Sequence, residues 1–173
     1  MPELELQFST STARASWVIR VLTHSPFSHV DIIEPTKGLW GVSGPDKRIN
    51  DIGGVLCRPF NAWPYLYPPK VAKLLTTQPV IDKVFEFCRG ERGKPFDNGA
   101  LYHFFRDRAG LKSVGRSWRD PQKWFCSEFV LRALEVGGLF PYPLITPKDT
   151  VSPNDLVIFV NPYMATDNIT DFL

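Results

Sequence analysis

Polar and apolar residues alternate from Glu3 to Phe8, and this period of two predicts a short strand. A Ser/Thr cluster at Ser9 to Thr12 supplies helix-capping hydroxyls, and Trp17, Val18, Val21 and Leu22 then recur at helical spacing. The pattern predicts a helix from Ala13 that ends before Ser25-Pro26, because a proline disfavours the helical conformation in the residue before it. Phe27 to Glu34 reads as a second strand, with His29, Asp31 and Ile33 on one face and Ser28, Val30 and Ile32 on the other. Pro35-Thr36-Lys37-Gly38 turns the chain back through Leu39 to Ser43, so His29 sits on a hairpin. Gly44-Pro45-Asp46 turns again, and Gly53 to Pro59 reads as a third strand closed by its proline.

Farther along, Val71, Leu74, Leu75, Ile81, Val84, Phe85 and Cys88 show mixed helical spacing broken at Gln78-Pro79. A short helix, a break and a second helix from Pro79 to Arg89 are expected. Gly90 to Pro95 is a polar loop, Asn98 to Arg108 a short helix, and Lys112 to Lys123 an exposed connection without periodicity. Cys126 to Gly137 is the clearest helix, with Phe129, Val130, Ala133, Leu134 and Val136 at helical spacing and Gly137-Gly138 as its stop. Pro141 to Pro153 reads as loop, Asp155 to Val160 as a final strand, and the residues after Asn161 as a polar tail. These elements make one α+β domain over residues 1–173, built on a local antiparallel sheet.

Composition narrows the class. A chain of 173 residues with 43% hydrophobic and 22% charged residues can bury a core without disulfides or a structural metal. A net charge of +2 gives no electrostatic reason to expect a nucleic-acid partner. No run of about 18 apolar residues occurs, so no transmembrane helix is expected. The first residues carry acids where a secretory signal carries a basic stretch and an apolar run, so no export signal is expected either. Three cysteines, Cys57, Cys88 and Cys126, fit neither a disulfide framework nor a zinc site, and reduced thiols are expected. Neither a phosphate-binding glycine loop nor metal-ligand spacing is present, so no cofactor is expected.

Candidate chemistry centres on Trp124-Phe125-Cys126-Ser127-Glu128. A thiol becomes a nucleophile as its thiolate, and a helix N-terminus or a neighbouring imidazole favours that form. A helix starting at Cys126 would aim its free backbone amides at the sulfur, although Asp120-Pro121 offers a competing cap and first position. Cys57, in a strand, and Cys88, beside Val84 and Phe85, read as packing residues, the ordinary role of a free cysteine. Among His24, His29 and His103, the strand-borne His29 is the best-placed base, since a strand holds its ring rigidly. Glu128 reads as a charge complementing the helix N-terminus, and Trp40, Trp118 and Trp124 as core residues before pocket residues.

Five segments occur in an order that resembles one branch of a known superfamily. They are Ser16-Trp17-Val18-Ile19-Arg20 to Pro26, Phe27-Ser28-His29-Val30-Asp31-Ile32, Gly93-Lys94-Pro95-Phe96-Asp97, Phe125-Cys126-Ser127-Glu128-Phe129-Val130 and Ser152-Pro153-Asn154-Asp155-Leu156. The chain resembles the circularly permuted NlpC-type papain-like cysteine peptidases, YiiX-like branch, with the histidine ahead of the cysteine. The resemblance spans residues 8 to 160. It implies a small antiparallel sheet or partial barrel carrying His29, packed against a helix whose start presents Cys126. It implies a thiol hydrolase acting on an amide bond, with peptidoglycan peptides as a substrate class and acyl transfer or lipid deacylation as the alternative. A fold retained as an inactive binding or structural protein is the competing class. The third, imidazole-orienting residue of the family falls on Ser43, with Asp31 and Asp46 as fallbacks, and Phe96 stands where the family has tyrosine. A thiol hydrolase of this kind without an export signal is expected in the cytoplasm or with a phage particle.

Overall fold

The computed structural model of the chain describes residues 1–47, 50–99, 102, 103, 106, 110, 120, 122–140 and 151–165. Among these, a five-stranded antiparallel sheet is packed against helices, an α+β architecture. The strands are β1 (Glu3–Ser9), β2 (His29–Glu34), β3 (Gly38–Ser43), β4 (Gly54–Arg58) and β5 (Lys70–Leu75), in spatial order β4-β3-β2-β1-β5. The helices are α1 (Arg14–Thr23), α2 (Gln78–Gly90), α3 (Cys126–Gly137) and α4 (Pro153–Val160), followed by a short 3-10 turn at Asn161–Tyr163. No helix among the described residues is long and apolar enough to cross a membrane.

Alternation along the strands divides the sheet into an apolar and a polar face. Leu4, Leu6 and Phe8 of β1, Val30 and Ile32 of β2, Trp40 and Val42 of β3, and Ala72 and Leu74 of β5 all enter one buried core. Val84 and Phe85 of α2, Phe129, Val130, Ala133 and Leu134 of α3, and Leu156 and Val160 of α4 complete it. The register pairs Gln7 with Asp31 and Ser9 with His29, and paired residues share a face. His29 and Asp31 therefore stand on the polar side. Segment 59–68 covers that side: Trp63 meets the His29 ring edge-on at 5.9 Å between centroids, and Gln7 Nε2 donates to the Tyr65 hydroxyl at 2.8 Å.

The strand at Glu3–Ser9, the β2–β3 hairpin, β4, α1, α2 and α3 lie where the periodicity predicts. Two expectations are corrected. The segment from Pro69 onward is not a short helix but begins strand β5, antiparallel to β1 with Leu4 opposite Leu74 and Leu6 opposite Ala72. Only the second face of that segment reaches the core, so a period of two satisfies it as well as a helix would. Asp155 to Val160 is helical, not a strand. A capping box starts α4: the Ser152 side chain accepts from the Asp155 amide, the Asp155 carboxylate accepts from the Ser152 amide, and Pro153 occupies the first turn. Of the expected helix at Asn98 to Arg108, residues Asn98, Gly99, Tyr102, His103 and Arg106 are helical, and the others lie outside the described residues. Trp118, most of the 112–123 connection, residues 141–150 of the expected loop and the tail from 166 lie outside them as well.

Both outer strands of the sheet meet neighbouring backbone. Val55 of β4 accepts from the Gly93 amide and donates to the Lys94 carbonyl, each at 2.9 Å. On β5 the Lys73 carbonyl accepts from the Ala165 amide at 2.9 Å, and Leu74 bridges Met164.

Candidate active site

Helix α3 begins at Cys126. Phe125, extended at φ −115° and ψ 166°, is its cap residue, and the Phe129 amide makes the first helical bond, to the Phe125 carbonyl. The competing start at Asp120 is not taken: Asp120 instead forms a surface ion pair with Lys123. Cys126 is thus the first helical residue, and the amides of Cys126 and Ser127 precede the helical ladder. At the other end, Gly138 takes the left-handed conformation at φ 85° and caps the helix. Ser127 fixes the helix start from the side by donating its hydroxyl to the Val151 carbonyl at 2.5 Å.

The His29 ring meets this helix start from the sheet. It lines the same cavity as Cys126, close enough to feel the sulfur, and places Nε2 2.9 Å from Asp31 Oδ1. With Nε2 engaged by Asp31, Nδ1 is the nitrogen left to exchange a proton with the thiol. The ring is 16% exposed and the Asp31 side chain 1%. Burial acts to lower the basicity of His29, but the Asp31 charge, its hydrogen bond and the Cys126 sulfur together outweigh it and push the ring up to about 10. Asp31 Oδ2 is buried with no hydrogen-bond partner among the described residues, so the carboxylate is held through the one oxygen that faces His29.

Space for that carboxylate comes from β3. The register that sets Ile32 opposite Trp40 continues to Asp31 opposite Gly41, and a Cβ at Gly41 would overlap Asp31 Oδ1. The small residue across the ladder is what lets a buried acid lie flat beside its own strand.

Ser43 is not the residue that holds the ring. Its hydroxyl accepts from Arg58 Nη2 at 2.9 Å and contacts Asp51. Arg58, 5% exposed, also binds both oxygens of Asp51 and the carbonyls of Gly41 and Gly54. Burial pushes the Asp51 carboxyl up, but the bonds from Arg58 and the Gly53 amide hold it below the usual carboxylate range. The guanidinium also sits over the Trp63 ring, 5.4 Å from its centroid, and Trp63 in turn meets His29. Ser43 therefore lines the cavity but is engaged by the Arg58–Asp51 pair and not by the His29 ring. Asp46 lines the cavity but pairs with Asp51 through backbone bonds.

Cys126 and His29 open into a cavity of about 470 Å³ whose wall is mainly apolar. Helix α1 forms one side through Ala15, Ser16 and Ile19; Trp63, Phe96 and Phe125 form others. The remaining candidates lie elsewhere. His24 is the exposed, left-handed cap of α1, and His103 packs against Tyr102. Trp40 and Trp124 are core residues whose ring N–H groups donate to Glu34 and Glu91. Glu128 is buried in the first turn of α3. The Cys57 and Cys88 thiols are both pushed up by burial and by Glu34. Trp63, Arg58 and Gly41 are the positions that sequence reasoning did not single out. The charge-free, aromatic run from Pro59 to Pro69 was a visible signal for Trp63, whereas nothing local marks Arg58 or Gly41.

No known family model matches the chain, and no curated protein matches it at a significant level.

Proposed function

We propose that the protein is a cysteine hydrolase that cleaves an amide or related acyl bond through an acyl-Cys126 intermediate. The observation that carries this reading is Cys126 at the first position of α3, in one cavity with an imidazole that is itself held by the buried Asp31. The chain order supports it too: histidine strand before cysteine helix, as in the circularly permuted NlpC-type papain-like peptidases that the sequence resembles.

In this mechanism the Cys126 proton passes to His29, whose raised basicity lets the ring hold it at neutral pH. The sulfur attacks the substrate carbonyl, and the amides at the start of α3 stabilise the oxyanion. Collapse breaks the bond to the leaving amine or alcohol, which takes the proton from His29. Water then attacks the thioester, giving its proton to His29, and the carboxylic acid departs as the proton returns to sulfur. Asp31 keeps the ring aligned throughout.

Peptidoglycan peptides are one substrate class. A second reading, acyl transfer or deacylation of a lipid, draws support from the cavity, which is mainly apolar and has no lysine or arginine among its described lining residues. Stem peptides carry free carboxylates and call for cations; an acyl chain does not. Mass spectrometry of the intact protein after incubation with digested peptidoglycan, and separately with lipid extract, tests both. An acyl adduct on Cys126 is expected from one of them and none from Cys126→Ala. No adduct from either, together with Cys126 labelling no faster than Cys57 with a thiol probe, would sink the hydrolase reading.

A further inference from the structure

Helix α1 is built inside out. Its polar Ser16 and Thr23 are buried, whereas Trp17 is 60% exposed and Val21, one turn on, 50%. Ser16 and Ile19 line the catalytic cavity, and helical spacing puts Trp17 and Val21 on the opposite side of α1.

A second apolar element lies beside it. The run from Pro59 to Pro69 contains Phe60, Trp63, Tyr65 and Tyr67 and no charged residue. It is strapped to the residues leading into α1: the Leu66 amide donates to the Thr10 carbonyl at 2.8 Å, the Thr12 amide to the Pro64 carbonyl at 3.3 Å, and Ser11 bridges Tyr65. Phe60, Leu66 and Tyr67 are each more than two-fifths exposed.

The helix face that carries Trp17 and Val21 has charge of one sign. From Ser9 to Val30 the chain carries Arg14 and Arg20 but no aspartate or glutamate, and from Ile52 to Ile81 it carries no acid; there Arg58 is buried against Asp51 and Lys73 pairs with Glu3 and Glu5, while Lys70 is exposed. Among the described residues neither Arg14 nor Arg20 has a carboxylate partner. A second copy of the chain would bring these arginines against each other. A sheet of anionic headgroups would pair them.

We propose that Trp17 and Val21 of α1, with Phe60, Leu66 and Tyr67, form an interfacial surface that seats the protein on an anionic lipid bilayer. Amphipathic tryptophan and tyrosine rings suit the boundary between headgroups and acyl chains, and the exposed Arg14, three residues before Trp17 on the same helix face, reaches the lipid phosphates. Helix α1 then lies between the bilayer and the cavity. Docking stands apart from the chemistry assigned to Cys126; joined to it, it favours acyl chains as the substrate.

The test is co-sedimentation of the full chain with vesicles of phosphatidylcholine alone and of phosphatidylcholine mixed equally with phosphatidylglycerol. Binding to the mixed vesicles is expected, weakened by salt, and weaker by about tenfold in Trp17→Ala and about fivefold in Arg14→Gln. Both side chains are exposed, and an unchanged circular dichroism spectrum checks the fold of each variant. Cys126→Ala should bind as the wild type does, so a failure of the hydrolase reading leaves this result intact. No binding to either vesicle, or equal binding by Trp17→Ala, overturns the proposal. So does a dimer that Trp17→Ala disrupts, which would assign the surface to a second copy.

Discussion

Gly41 stands across the β2–β3 ladder from Asp31, and the absence of a side chain at Gly41 leaves the room in which the Asp31 carboxylate meets His29. The atom a new methyl group would strike is the end of a side chain, which can swing away while the backbone stays in place. Gly41→Ala is therefore expected to fold and to misalign the imidazole. Hydrolysis should fall on the order of a hundredfold, the loss that a misplacement of about 1 Å brings, with a much smaller change in thermal midpoint. Full activity in Gly41→Ala would show that Asp31 does not orient the ring.

Asp31 and Ser43 can be separated directly. Asp31→Asn keeps the shape but removes the charge that sustains the His29 proton, and should lower kcat/KM by at least about a hundredfold. Ser43→Ala removes a hydroxyl that serves Arg58 and Asp51. It should cost about 1 kcal/mol of stability and leave turnover within about threefold. The reverse ranking in steady-state kinetics would return the orienting role to Ser43.

Stability should depend on pH through His29. Its ordinary value is 6.5 and folding raises it to about 10. A group raised on folding contributes fully below its unfolded value and loses that contribution as pH climbs through the folded one. Denaturant unfolding should thus show stability declining from about pH 6.5 to 10, with a flatter decline in Asp31→Asn. In the same variant the ring, followed by NMR, should titrate at lower pH than in the wild type. An identical slope in the two proteins would dissociate His29 from Asp31.

Thiol chemistry gives a fourth comparison. Burial and Glu34 push both the Cys57 and Cys88 thiols up, whereas Cys126 has an imidazole beside it and a helix N-terminus behind it. Iodoacetamide at pH 7 should therefore modify Cys126 first, and His29→Ala should slow that reaction by about tenfold or more. Peptide mapping after brief exposure reads the order.

Elements whose faces are set by neighbours close in the chain could be read from the residues. The body and end of helix α3 were legible because Phe129, Val130, Ala133 and Leu134 make a continuous stripe and Gly138 ends it, while its start stood open between Cys126 and Asp120-Pro121. The β2–β3 hairpin was legible from its turn and alternation. Strand β5 was not, because Val71, Leu74 and Leu75 suit either period, and what selects the strand is pairing with β1 more than sixty residues earlier. Helix α4 was hidden by Val157, Ile158, Phe159 and Val160, which favour strands, although Ser152-Pro153-Asn154-Asp155 spelled its cap. The Cys126 and His29 positions were readable. The orienting role of Asp31 depends on an empty space at Gly41 and on Arg58 claiming Ser43, and both are properties of the assembled sheet.

The contacts that Gly93, Lys94 and Ala165 make with the two outer strands have a colloidal consequence. A bare strand edge is a template on which another chain can add, the first step toward fibrils. Here the hydrogen-bonding groups of Val55 and the Lys73 carbonyl are already occupied from within the same chain. Growth by strand addition at these positions must first peel those segments away, which adds a step before either edge can serve as a template.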